Sequence, residues 1–260
     1  MSLSPEDLED LRHAKNLLDA PGLAVRIANL IGSPLDKGYK LLPAKWSETV
    51  NNATVASLEK AMDVVLLTID DSRRKQSASN LFHKMAAAAT GAAGGAFGLA
   101  ALSLELPLST IVILRSIADI ARNQGEDIRS TETRLACLEV FALGGPSPGD
   151  DSAEIGYFAV RTAMSKAISE AARHMFNKGT ARKGAPALIN FITQVAARFG
   201  VVVSEKAAAQ AIPVVGAAGG AAINTIFIDH FQNIALGHFI VRRLERIYGE
   251  ALVRETYEKL

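Results

Sequence analysis

Phe227-Ile-Asp-His-Phe231-Gln-Asn-Ile234-Ala-Leu-Gly-His238-Phe-Ile-Val241-Arg-Arg-Leu244-Glu-Arg-Ile-Tyr248 is the stretch whose period decides the fold. Phe227, Phe231, Ile234, His238, Val241, Leu244 and Tyr248 recur at steps of three and four, so they share one face of a helix. The spacing predicts a long last helix over about 221–248. The same period runs upstream through Leu188, Ile192, Val195 and Phe199, and through Tyr157, Val160, Met164, Ile168, Ala171 and Met175. Val55, Leu58, Met62, Val65, Leu66 and Ile69 give another amphipathic helix. Further helices are expected over 4–20, 24–31, between Ser33-Pro34 and Leu42-Pro43, over 77–90, over 107–124 and from Ser130 to Leu143. Ser4-Pro5-Glu6-Asp7 is a capped start, with proline in the first turn and acids at the positive dipole end. No stretch of five residues alternates cleanly, and Val201-Val202-Val203 is the one strand-like run. The expectation is an all-α fold, a multi-helix bundle.

Two patches carry the same letters, Gly91-Ala-Ala-Gly94-Gly95-Ala96 and Gly216-Ala-Ala-Gly219-Gly220-Ala221. Small residues let helix backbones approach closely, so Gly91, Gly94, Gly95, Gly216, Gly219 and Gly220 are expected as packing positions in two helical hairpins. The loop Gly145–Asp151 separates them, which suggests related halves, 1–144 and 152–260, within one helical domain. Both patches lie in weakly charged runs, 85–114 and 207–228, long enough to span a bilayer. Alanine and glycine insert poorly, and Pro107 and Pro213 would kink or break a span. A buried hairpin explains the same letters better, with a shallow membrane hairpin second and a spanning helix third.

Twenty-eight basic and 27 acidic residues leave a formal net charge of +1, which gives no overall drive toward nucleic acid or anionic lipid, so any membrane contact is expected to be mostly apolar. The single cysteine, Cys137, forms no internal disulfide and lies on an inner face with Phe141. The first ten residues are acidic and have no apolar core, unlike a secretory signal. The cytoplasm, or the inner face of its membrane, is the expected location.

No motif dictates a reaction. Gly145-Pro-Ser147-Pro-Gly149 matches the letters of a nucleophile elbow, but the residue after the serine must donate its N–H to the oxyanion, and Pro148 has none. The glycine patches lack the Lys-Ser/Thr of a phosphate loop. The five histidines include no i,i+4 pair, and no cysteine cluster accompanies them, so neither metal nor cofactor is expected. Glu105 is a lone acid among apolar neighbours, costly unless paired, and Lys206 or a nearby arginine is its expected partner. His238 interrupts an apolar stripe; a core histidine with one hydrogen-bond partner is the simplest reading, and a ligand-contacting or pH-sensing group is the other. Arg115, Asp119, Arg122 and Glu126 fall at helical spacing with mixed sign, as on a solvated face. That ladder could also pair with Arg242-Arg243 and Glu245-Arg246 of the last helix.

Glu105-Leu-Pro107, Arg115-Ser-Ile-Ala-Asp119 leading to Gly125, Glu205-Lys206, Pro213-Val-Val-Gly216, Gly219-Gly220 with Asn224, and Phe239 through Arg242-Arg243-Leu244 occur in an order that resembles the EcsC protein family. The similarity runs from about Leu11 to Tyr248. The family takes its name from a protein associated with a bacterial ABC transporter, so the resemblance implies bacterial origin and an accessory role near a membrane exporter. It implies no catalytic residues. The resulting expectation is a non-enzymatic binding protein at the cytoplasmic membrane face, with a membrane lipid or membrane protein as partner. Glu105, Arg115, Asp119, Arg122, Glu126, Lys206, Asn224, His238, Arg242 and Glu245 are its candidate contact residues. Two alternatives stand beside it: a cytosolic enzyme built from Glu105, Asp119, His238 and Glu245, and a helical carrier of an apolar ligand.

Overall fold

A computed structural model describes residues 2–32, 34–67, 98–145, 156–178, 185–212 and 216–260. They form ten helices and no strand: α1 (Pro5–Leu18), α2 (Leu23–Ile31), α3 (Asp36–Leu41), α4 (Trp46–Leu67), α5 (Gly98–Asn123), α6 (Thr131–Leu143), α7 (Tyr157–Lys178), α8 (Pro186–Gln210), α9 (Gly216–Tyr248) and α10 (Glu250–Lys259). The fold is all-α, a multi-helix bundle. Ser4 caps α1 by accepting from the Asp7 N–H, and Ser130 caps α6 by accepting from the Thr133 N–H, each satisfying a donor that the first turn cannot.

Helices α8 and α9 organise the interior. α8 packs against α2, α3, α4, α6 and α7, and α9 against α1, α2, α5, α6 and α10. Their meeting line is aromatic. Phe141 of α6, Phe199 of α8, and Phe227 and Phe231 of α9 are fully buried, with ring centroids 4.9–6.2 Å apart in tilted and edge-on contacts. A second, smaller cluster of Leu11, Ala14, Val241, Leu244, Val253 and Tyr257 binds α1 and α10 to the far end of α9. Among the described residues one helix, α8, is long and apolar enough to cross a bilayer by length and composition. It also carries the fully buried Lys206 and packs on six other helices.

Two readings change. Helix α5 does not begin at Pro107 but runs from Gly98 straight through it. Proline already holds a helical φ, so the ring costs one backbone hydrogen bond and local bending, which the buried packing of Leu106, Pro107 and Ser109 offsets. Val201-Val202-Val203 is helical as expected, because a β-branched run inside a 25-residue amphipathic helix follows its surroundings. The second glycine patch is the opening of α9 itself, and a methyl at Gly220 would meet nothing within 4 Å, so Gly220 is not a close-packing position among the described residues. The close approach is instead at Gly38, where a Cβ would sit 2.0 Å from the Ala208 carbonyl oxygen of α8. The first patch, the helix expected over 77–90 and most of the 145–151 loop lie outside the described residues.

Candidate functional site

The last turns of α9 carry charge on the border of its apolar stripe, and four other segments meet them there. Arg161, one turn into α7, donates to Glu245 through both terminal nitrogens, Nη1 to Oε1 at 2.7 Å and Nη2 to Oε2 at 3.0 Å. This two-pronged geometry fixes both side chains. Glu126 reaches the same place because α5 stops at Asn123 and Gly125 turns the chain with φ +79°. Arg242 Nε donates to Glu126 Oε1 at 2.8 Å, Arg246 Nη1 donates to the same oxygen, and Thr133 Oγ1 donates to Oε2 at 2.9 Å. Arg246 Nη2 also donates to the Gln124 carbonyl at 2.7 Å. Burial alone would raise the Glu126 carboxyl, but the hydrogen bonds and charges of Arg242, Thr133 and Arg246 hold it below the usual range. Above this network an open cleft of about 190 Å³ is lined by Arg161, Arg242, Glu245, Arg246 and Glu250.

A second polar layer lies deeper. Tyr157 Oη and His238 Nδ1 are 2.8 Å apart, and His238 Nε2 is 4.0 Å from Glu139 Oε2, all three residues being buried. Burial lifts Tyr157 well above its ordinary range, so it keeps its proton. The consistent arrangement has Tyr157 donating to Nδ1, which leaves the proton on Nε2, pointed toward Glu139. Burial depresses His238 well below its ordinary value, aided by the charges of Arg161 and Arg242, and it stays neutral. Burial pushes Glu139 up to about 7 against the pull of the same two arginines. Arg161 and Arg242 therefore act on both layers, which makes the cleft and its floor one electrostatic unit.

Four of the residues singled out from the sequence come together here: Glu126, His238, Arg242 and Glu245. His238 has one hydrogen-bond partner in the core, Tyr157. The other six lie elsewhere. Lys206 Nζ donates to Glu105 Oε1 at 2.7 Å and sits 4.5 Å over the Phe227 ring, clamping α5, α8 and α9. Asp119 and Arg122 pair at 3.4 Å on the surface of α5, and Arg115 is on the same helix. Glu126 does not continue that ladder, because the helix has ended. Asn224 is half-buried on α9, its Oδ1 without a hydrogen-bond partner among the described residues. Cys137 is buried, its thiol pushed up to about 12 by burial. Among the described residues no group of three or more His, Cys, Asp or Glu could hold a metal.

The match to known families covers residues 6–244. The chain belongs to the EcsC protein family. No curated protein and no solved structure matches this EcsC family chain. The match takes in Glu126, Glu139, Tyr157, Arg161, His238 and Arg242, and stops one residue short of Glu245.

Glu139, Tyr157, Arg161 and Glu250 escaped the sequence reading as site residues, and Arg246 entered it only as a partner for the α5 ladder. Glu139 carried a readable signal. It is a single acid inside Leu135-Ala-Cys-Leu-Glu-Val-Phe-Ala142, the same pattern that marks Glu105. Arg161 offered none, since an arginine one turn into an amphipathic helix is ordinary on a solvated face.

Proposed function

We propose that this EcsC family protein is a non-enzymatic binding protein that works at the cytoplasmic face of a membrane, and that its arginine cleft receives an acidic group, carboxylate or phosphate, from its partner. One observation carries the cleft reading: Arg242 and Arg246 share a single carboxylate, Glu126, while both line an open cleft beside Arg161. The lining sets three guanidiniums against two carboxylates, Glu245 and Glu250, and guanidinium matches planar or tetrahedral oxyanions. The membrane placement is supported by the family, whose name implies an accessory role beside an ABC transporter.

The enzyme alternative needed Glu105, Asp119, His238 and Glu245 in one pocket. Glu105 is taken up by Lys206 and Asp119 lies at the surface of α5, apart from the other two. Thermal unfolding in phosphate and in chloride at equal ionic strength tests the cleft. Phosphate is expected to raise the Tm of the wild type and not of R246Q, and an identical Tm in both salts would refute it. Cell fractionation tests the location; wholly soluble protein would sink the membrane part.

A further inference from the structure

We infer that α2 and α3 form a docking surface for an anionic lipid bilayer. This rests on the membrane-face reading and names the surface that makes the contact. The two helices are seated on α8 with their inner faces filled: Leu23, Ile27 and Leu35 are buried, and Gly38 lies against the Ala208 carbonyl. Their outer faces set large apolar side chains among polar ones such as Asn29, Lys37 and Lys40. Val25 is 51% exposed, Leu30 46% and Leu41 54%, three of the seven large exposed hydrophobic side chains among the described residues. Because the inner faces are already occupied, these side chains have no place to turn inward.

Charge points to the occupant. Residues 22–46 hold four bases, Arg26, Lys37, Lys40 and Lys45, against one acid, Asp36, in a chain whose whole net charge is +1. None of the four makes an ion pair among the described residues. Exposed apolar side chains interleaved with unpaired bases on short helices are what an interface-lying amphipathic element presents to anionic lipid. Trp46 and Tyr39, with ring centroids 5.6 Å apart, stand at the edge of this surface, where amphipathic rings suit the headgroup region. The surface and the arginine cleft lie at different levels of α9. The Arg26 charge bears on His230, and Arg242 is twelve residues further, about 18 Å along the helix. A protein docked through α2 and α3 keeps the cleft open to a second partner.

Trp46 is the chain's one tryptophan, so its emission reports this surface alone. The test is flotation with phosphatidylglycerol-containing vesicles and with phosphatidylcholine vesicles, read together with Trp46 fluorescence. Wild type is expected to float with the anionic vesicles, to show blue-shifted Trp46 emission, and to detach as salt rises. The double variant V25E/L41E is expected to lose binding at least tenfold, and K37E/K40E to lose the preference for anionic lipid. I189E, which places a charge at an equally exposed site on α8, is expected to float as wild type does. Flotation of V25E/L41E at wild-type levels, or of wild type with unchanged Trp46 emission, overturns the inference. So does wild type that floats with neither vesicle; if that protein still fractionates with native membranes, the membrane-face reading survives through a protein partner, and if it does not, both fail.

Discussion

Lys206 is fully buried and has one carboxylate to answer it, Glu105, whose side chain keeps about a fifth of its exposure. An ammonium left alone at that depth is expensive, so removing the acid should cost more than removing both charges. E105A is expected to lose roughly 3 kcal/mol in urea unfolding, and the double variant E105L/K206M to recover most of it. Glu139 makes a prediction in pH. Its folded value, about 7, lies above the ordinary 4.5, so the fold holds a proton that the unfolded chain releases first. Its contribution is whole below about 4.5 and is lost as pH rises through 7. Glu205, raised to about 7 chiefly by burial, acts in the same sense. His238 is depressed, so its contribution is lost as pH falls below 6.5, opposite in sense over the same range. The stability of wild type relative to E139Q should therefore fall by roughly 3 kcal/mol between pH 4.5 and 7 and stay level above about pH 8. Equal slopes in the two proteins would contradict the assignment.

At the scale of elements, periodicity made the helices legible and turns made their limits harder to place. The caps at Ser4 and Ser130 and the stripe of α9 follow from local chemistry, and the structure has them where that chemistry puts them. Helix α5 began earlier than expected because burial of Pro107 outweighs its missing donor. Helix α10 was not foreseen at all, since Gly249 with φ +86° separates it from α9 by one residue. The packing role expected of Gly220 was misjudged for a related reason. Composition draws the eye to glycine clusters, whereas close approach depends on what lies opposite one residue. G38A tests this: its methyl would strike the α8 backbone, and a loss of about 1–3 kcal/mol is expected, with α3 amides exchanging faster. A G220A variant is expected to be neutral or slightly stabilising, as alanine is the better helix former.

Over the whole molecule, one hydrophobic core draws on helices from both sides of the 145–151 loop, from Leu23 to Phe239. The charged unit sits at one end of it, assembled from α6, α7, α9 and the turn after α5. Half of that unit was readable because α9 carries it in one segment, as Arg242, Glu245 and His238. Arg161 and Glu139 come from two other helices, and no local pattern tells which residues of separate helices will face each other. The cleft follows from that assembly, and its chemistry can be read at the arginines themselves. Inorganic phosphate titrated into the full chain, followed by the side-chain N–H signals of Arg161, Arg242 and Arg246, should shift these three saturably while Arg12 and Arg254, on the exposed faces of α1 and α10, stay in place. Shifts that are absent, or that are uniform across all of these arginines, would contradict an acid-binding cleft.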